Sequence, residues 1–283
     1  MTERPAGRLS TIEIERFRSD GALFPITALT PSEAHAAVAR LESLEAERGG
    51  RLSRFANAKP HLLLPWLWAL VHEPRIVDVV EDLLGPDLYC IATSFIDKPA
   101  GGEGHVAWHQ DATYWGLNAP EAVTAWLALT PSTPENGCVR FVPGSHETQL
   151  VHIDSADPTN LLGARERLRE PVDDSQAVDM ILAPGQMSLH HVLLIHGSAH
   201  NRTAGRRVGF AIRYIPGHVW QAGGSATLVR GRDHGKMAIE VAPASDFDPA
   251  ALARHPDIVR RFASVIDRRK REHAAAVTGR SRS

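Results

Sequence analysis

The chain has 283 residues, 43% of them hydrophobic and 23% charged, with a net charge of −2 at neutral pH. That suffices for a sizeable core in one large domain, and it supplies no basic field to draw in nucleic acid or an anionic membrane. Cys90 and Cys138 match no zinc or thioredoxin-type spacing, apolar runs stop short of the ~18 residues of a membrane span, and Met1–Ser10 lacks the apolar stretch of a secretory leader, so a cytoplasmic setting is expected.

Residues 10–86 read as a helical N-terminal part. Thr30-Pro31-Ser32-Glu33 is a capping box with Pro at the first helical position, and it opens a helix to about Arg48, where Gly49-Gly50 stops it. Further helices are expected over Trp66–His72 and Arg75–Leu84, the latter ending at Gly85-Pro86. The texture then changes. Leu88–Ile96, Ala122–Leu129, Cys138–Val142, Val178–Leu182, Met187–Ile195 and Val208–Ile215 are apolar and rich in β-branched residues, which predicts strands separated by turns such as Pro134-Glu135-Asn136-Gly137. Short strands without intervening helices argue for an antiparallel sandwich or barrel over residues 87–220. Residues 146–176 are long, polar and irregular, and read as a lid-like insertion. Residues 221–283 form an extension that ends in a helix, whose basic run Arg260–Arg271 reads as a solvated face. The whole is expected to be a single domain.

His-x-Asp on a strand points both side chains to one face, where they can share a metal. The chain has three such pairs: His109/Asp111, His152/Asp154 and His255/Asp257. With 15 histidines the motif alone is weak. His255-Pro256-Asp257 lies in the basic tail and reads as structural, and the second pair lies in the polar insertion. The first sits among Trp108, Tyr114 and Trp115, between strands, where a metal would have a shell. A hydrogen-bonded His–Asp pair with no metal is the competing reading. His196, on a distant strand, would complete a facial triad of two His and one carboxylate, the set typical of non-haem Fe(II) oxygenases.

After His196 a turn with Asn201 and Gly205 leads into Arg206–Tyr214, which suggests two neighbouring antiparallel strands with the arginines roughly opposite His196. Period 2 places Arg207, Gly209, Ala211 and Arg213 on one face and Arg206, Val208, Phe210, Ile212 and Tyr214 on the other. The face of small residues and two cations suits a cavity for an anion, so Arg207 rather than Arg206 is the expected buried cation. Its partner is either a bound dicarboxylate or an internal Asp or Glu. Of the adjacent His190 and His191, at most one points inward. Arg213, His105, Tyr114 and Asn118 are the candidates for contact with a substrate.

Together, Trp108-His109-Gln110-Asp111 with Tyr114, Asn136-Gly137 through Pro143-Gly144-Ser145-His146, Ala183-Pro184-Gly185, His196-Gly197-Ser198, Asn201, Arg207 and Arg213-Tyr214-Ile215-Pro216 resemble the phytanoyl-CoA dioxygenase family over about residues 10–220. The resemblance implies a mainly β fold with flanking helices, a double-stranded β-helix (a jelly-roll, cupin-like barrel). It implies Fe(II), 2-oxoglutarate and O2 as cofactors, with His109, Asp111 and His196 as iron ligands. Arg207 and Ser198 would hold the cosubstrate, and Trp115 falls where some relatives place an aromatic at the cosubstrate or substrate pocket. His146 is not a ligand in this pattern. Because Asp111 occupies the position that halogenating relatives leave small, hydroxylation of a small-molecule substrate is the implied outcome, by a monomer or homodimer. A non-catalytic cupin-like binding protein and a Zn²⁺ hydrolase or isomerase on the same triad are the rivals, and neither needs Arg207 with Ser198.

Overall fold

The computed structural model describes residues 8–162 and 165–280. Its helices are α1 (Thr11–Asp20), α2 (Pro31–Glu47), α3 (Pro65–Val71), α4 (Pro74–Leu84), the single turn α5 (Ala112–Trp115) and α6 (Pro249–Arg280). Its strands are β1 (Ala22–Thr27), β2 (Leu88–Lys98), β3 (Val106–His109), β4 (Val123–Ala128), β5 (Val139–Phe141), β6 (His152–Asp154), β7 (Glu166–Leu168), β8 (Val178–Met180), β9 (Gln186–His191), β10 (His196–Ser198), β11 (Arg207–Pro216), β12 (Ser225–Arg230) and β13 (Ala238–Ile239).

Local chemistry accounts for the helix ends. Ser10 with Glu13, and Thr30 with Glu33, form reciprocal capping boxes at α1 and α2. Gly21, at φ 76°, closes α1 in a left-handed conformation that a side chain would strain. Pro65 and Pro74 start α3 and α4, where a missing N–H leaves no orphan donor.

The strands form a seven-stranded sheet in the order β1-β9-β4-β11-β2-β12-β13 and a four-stranded sheet in the order β3-β10-β5-β8. Both are antiparallel except where β13 pairs parallel with β12. They face each other as a jelly roll without closing into one hydrogen-bonded barrel. The alternation of β11 sets the layers. Val208, Phe210, Ile212 and Tyr214 pack with Leu41, Leu67, Ile76 and Val80 of α2–α4 in one core. Trp126, Ala128 and Ala211 turn the other way, against Val139, Phe141 and Met180 of the smaller sheet. The space between the sheets is where Arg207 and Arg213 point.

Four expectations change. The N-terminal part is not all helical, because β1 joins the edge of the large sheet through β9. Met187–Ile195 is not one strand: β9 ends at His191, and the chain crosses to the other sheet before resuming as β10. Accordingly β10 does not pair with β11; it lies between β3 and β5, and Arg207 faces His196 across the inter-sheet space rather than across a ladder. The polar insertion is also partly regular, since β6 and β7 pair within it. Among the described residues no helix is long and apolar enough to cross a membrane.

Candidate active site

β10 runs antiparallel to β3 with His196 opposite His109, and Asp111 follows β3 by two residues. His109, Asp111 and His196 each offer one ligand atom, all within 4.8 Å of one another. The tautomers follow from the backbone. His109 Nδ1 lies 2.9 Å from the Ala107 carbonyl oxygen and 3.1 Å from that of His196, and His196 Nδ1 lies 2.9 Å from the Leu194 oxygen. A carbonyl only accepts, so both Nδ1 atoms donate and both Nε2 lone pairs remain for a metal. Thr124 Oγ1 donates to Asp111 Oδ2 at 3.3 Å. Burial opposes ionisation of Asp111, yet the His109 and His190 rings hold its pKa well below the usual carboxylate range. Burial, followed by repulsion from His109 and His190, holds His196 neutral. An ionised carboxylate and neutral imidazole at this spacing fit a divalent cation.

Gln110, between the ligands, is fully buried. Its side chain donates to the carbonyls of Leu193 and Thr148 and accepts from Leu150 N–H, and its own N–H donates to His152 Nε2 at 2.9 Å. His152 therefore supports the ligand loop and is not itself part of the triad. His255, the other decoy, has its Nε2 2.7 Å from the Ala58 oxygen, far along the chain. His146 packs its ring against His191, away from the triad.

The triad opens on a cavity of about 70 Å³ lined by Trp126, His190, Ser198, Arg207 and Arg213, among others. The strand register is as expected. Arg206 points outward into a bidentate pair with Glu45 and a second pair with Asp97, whereas Arg207 is fully buried. Arg207 lies over the Trp126 ring at 5.1 Å and donates to the carbonyls of Gly137 and Ile96. Among the described residues its Nε has no partner and no carboxylate pairs with it. Burial brings its pKa down to about 10.

A second buried cation was missed in the sequence. Lys98, opposite Arg207 in the β2–β11 ladder, is fully buried and donates to Ser198 Oγ at 2.7 Å, as well as to the Ser198 and Ala199 carbonyls. Burial, then repulsion from Arg207, pulls its pKa down to about 7. Asn201 ties the neighbouring turn together, donating to the carbonyls of Lys98, Pro99 and Gly205. The other missed residue is His190, 2% exposed. Its ring centroid is 4.6 Å from that of His196, and neither ring nitrogen has a hydrogen-bond partner among the described residues.

Asp111 also borders a larger cavity of about 670 Å³, walled by Tyr114, Trp115, Arg213, Glu166 and, from α6, Phe262 and Ile266. Trp115 thus lines this space and not the small cavity beside Arg207. Two candidates fall elsewhere. His105 lines a neighbouring groove that shares only Val106 and Ser198 with the triad's cavity, and is bonded through Nδ1 to Thr159. Asn118 is a loop staple: its Oδ1 accepts from Trp220 N–H at 2.7 Å and its Nδ2 donates to His218 O.

The model of the phytanoyl-CoA dioxygenase family matches residues 17–209. The chain belongs to the phytanoyl-CoA dioxygenase family. Among solved structures of similar shape, the non-heme monooxygenase ThoJ in its apo form is 39% identical, with a TM-score of 0.82 over 92% of this chain and 99% of that one. CytC3 with Fe(II) and alpha-ketoglutarate is 25% identical, with a TM-score of 0.64 over 87% of this chain and 98% of that one. Among curated relatives, the probable alpha-ketoglutarate-dependent hypophosphite dioxygenase of Stutzerimonas stutzeri is 27% identical over 184 residues, 64% of this chain and 63% of that protein. A probable phytanoyl-CoA dioxygenase of Caenorhabditis elegans is 30% identical over 158 residues, 53% of this chain and 51% of that protein. The chain spans about half to two thirds of the length of these curated relatives.

Proposed function

We propose that the chain is an Fe(II)- and 2-oxoglutarate-dependent dioxygenase that hydroxylates an unactivated C–H bond of a small molecule, with release of succinate and CO2. The observation that carries this is the buried Arg207, without a carboxylate among the described residues, on the same small cavity as His109, Asp111 and His196. A buried guanidinium is costly unless an anion pairs with it, and a dicarboxylate of the cosubstrate's length would do so in a two-pronged contact. Neither a Zn²⁺ hydrolase nor a binding-only cupin needs such an anchor.

In this reading His109, Asp111 and His196 hold the iron through Nε2, a carboxylate oxygen and Nε2. Iron, O2 and 2-oxoglutarate supply the oxidising chemistry. The protein's residues do the rest. Arg207 binds the distal carboxylate, Lys98 adds a second positive charge, and Ser198, fixed by Lys98, presents its hydroxyl to the same cavity. The Nδ1 bonds to backbone carbonyls keep both imidazoles oriented. Trp126 and Val139 keep water from the anchor. The larger cavity takes the substrate, with Arg213, Tyr114 and Trp115 on its wall, and the insertion carrying β6 and β7 covers it as a lid.

Calorimetric titration of the metal-loaded protein with 2-oxoglutarate tests the assignment. Arg207→Ala weakens 2-oxoglutarate binding by about 100-fold while metal binding stays, in line with the loss of one partner of a buried charge pair. Arg206→Ala leaves 2-oxoglutarate affinity unchanged. Equal binding by wild type and Arg207→Ala removes the anchor from the mechanism.

A further inference from the structure

Several charges face the larger cavity, and most are neutralised within the protein. Lys59 is paired with the buried Glu240, Lys270 pairs with Asp154 at 2.7 Å, Asp111 belongs to the triad, Arg54 lines the rim, and Asp267 is exposed to solvent. Two interior groups differ. Among the described residues Arg213 has a single hydrogen bond, Nη1 to Ser94 Oγ at 2.8 Å, and its guanidinium lies 6.0 Å over the Trp115 ring. No carboxylate among the described residues forms an ion pair with it. Glu166, on β7 in the insertion, has its Oε2 shut off from solvent with no hydrogen-bond partner among the described residues. Both line the same cavity, whose wall also carries the apolar Trp115, Leu162, Phe262 and Ile266.

Arg213 feels the Asp111 carboxylate only at longer range, and Glu166 feels Lys270 and His109 in the same way, so on this one cavity a cation and a carboxylate each lack an ion-pair partner among the described residues. A single ligand with opposite charges at its two ends would satisfy both. We propose that the substrate is a zwitterion with an apolar body, whose carboxylate pairs with Arg213 and whose basic nitrogen donates to Glu166. This rests on the oxygenase reading above and specifies its substrate class. Arg213 also lines the small cavity beside the triad, so the carboxylate end of the substrate lies next to the metal centre. Glu166 lies on the insertion, so the nitrogen end ties that insertion down over the bound molecule. The environment supports the second contact: burial holds the Glu166 carboxyl above its ordinary pKa, a penalty that a cationic nitrogen beside it removes.

The test measures binding without turnover, by calorimetry on the Ni(II)-substituted protein saturated with 2-oxoglutarate. The probes are straight-chain ω-amino acids of four to ten carbons, the fatty acids of the same lengths and the matching alkylamines. At its best length the amino acid binds at least tenfold tighter than either one-ended analogue. Arg213→Met abolishes the preference over the amine, and Glu166→Gln abolishes the preference over the fatty acid. The wild-type ranking stands even where a variant fails to fold. The proposal is overturned if one-ended probes bind as tightly as the amino acid at every length, if no probe binds while 2-oxoglutarate does, or if both folded variants keep the wild-type ranking. Failure of 2-oxoglutarate itself to bind would instead overturn the oxygenase reading on which the proposal rests.

Discussion

Lys98 shows how much a single buried cation can report. Its folded pKa is depressed to about 7 from an ordinary 10.5, chiefly by burial and then by Arg207. Between those values the unfolded chain binds more protons than the folded one, so this residue's contribution to stability rises with pH from about 7 to about 10 and is least favourable below 7. Lys98→Met therefore stabilises the protein free of cosubstrate more at pH 6 than at pH 10, as thermal melts at the two values would show. A bound dicarboxylate favours the protonated amine, so binding takes up a proton above pH 7. The affinity for 2-oxoglutarate should fall by up to roughly tenfold per pH unit from pH 7 to 9, and Lys98→Met should flatten that slope. Calorimetry in buffers of different ionisation enthalpy checks the proton uptake, and a flat profile in the wild type contradicts it. At this scale the triad and Arg207 were legible in the sequence, because period 2 and a turn of known position assign faces. Lys98 was not: a lysine ending an apolar strand looks like a solvated strand end, and only its pairing opposite Arg207 puts it inside. His190 was hidden in the same way, as one of two adjacent histidines between which alternation alone does not choose.

Among the elements, β11 carries the most. Its outer face is packed under α2–α4 and its inner face holds both cavity arginines. Gly209 lies between them because Trp126 leans over it: a Cβ there would come within 2.0 Å of Trp126 Cζ2. Gly209→Val should destabilise by roughly 1–3 kcal/mol or more through overpacking, and by moving Trp126 it should also weaken 2-oxoglutarate binding. Denaturant melts with calorimetry test the pair of effects; a folded variant with wild-type values on both refutes the packing argument. The insertion is held to α6 by Lys270 with Asp154 and by His273 Nε2 with the His152 carbonyl at 3.0 Å. Removing both contacts in a Lys270→Ala, His273→Ala variant should raise hydrogen exchange across β6 and β7 while leaving β4 and β11 protected; unchanged exchange would mean that α6 does not restrain the insertion. Capped helices and long apolar strands were readable in advance. The crossing between β9 and β10 was not, since an unbroken apolar run from Met187 to Ile195 carries no mark of where the chain leaves one sheet for the other. β1 was lost for a related reason, as a short segment with Pro25 lying between two helices.

For the molecule as a whole, the two sheets bring residues from β3, β10 and β11 to one cavity, and α6 closes a second cavity beside it. The first 209 residues contain the triad and Arg207, within the span that marks the family. Arg213 and the α6 wall lie beyond that span. The central claim is that one site holds Fe(II) and 2-oxoglutarate together. Visible absorption spectra of the protein under anaerobic conditions test it most directly. Fe(II) alone should give no visible band; adding 2-oxoglutarate should produce a charge-transfer band that is lost in His196→Ala and requires far more 2-oxoglutarate in Arg207→Ala. A spectrum that does not respond to 2-oxoglutarate, in a protein that binds Zn²⁺ tightly at the same triad, would contradict the claim.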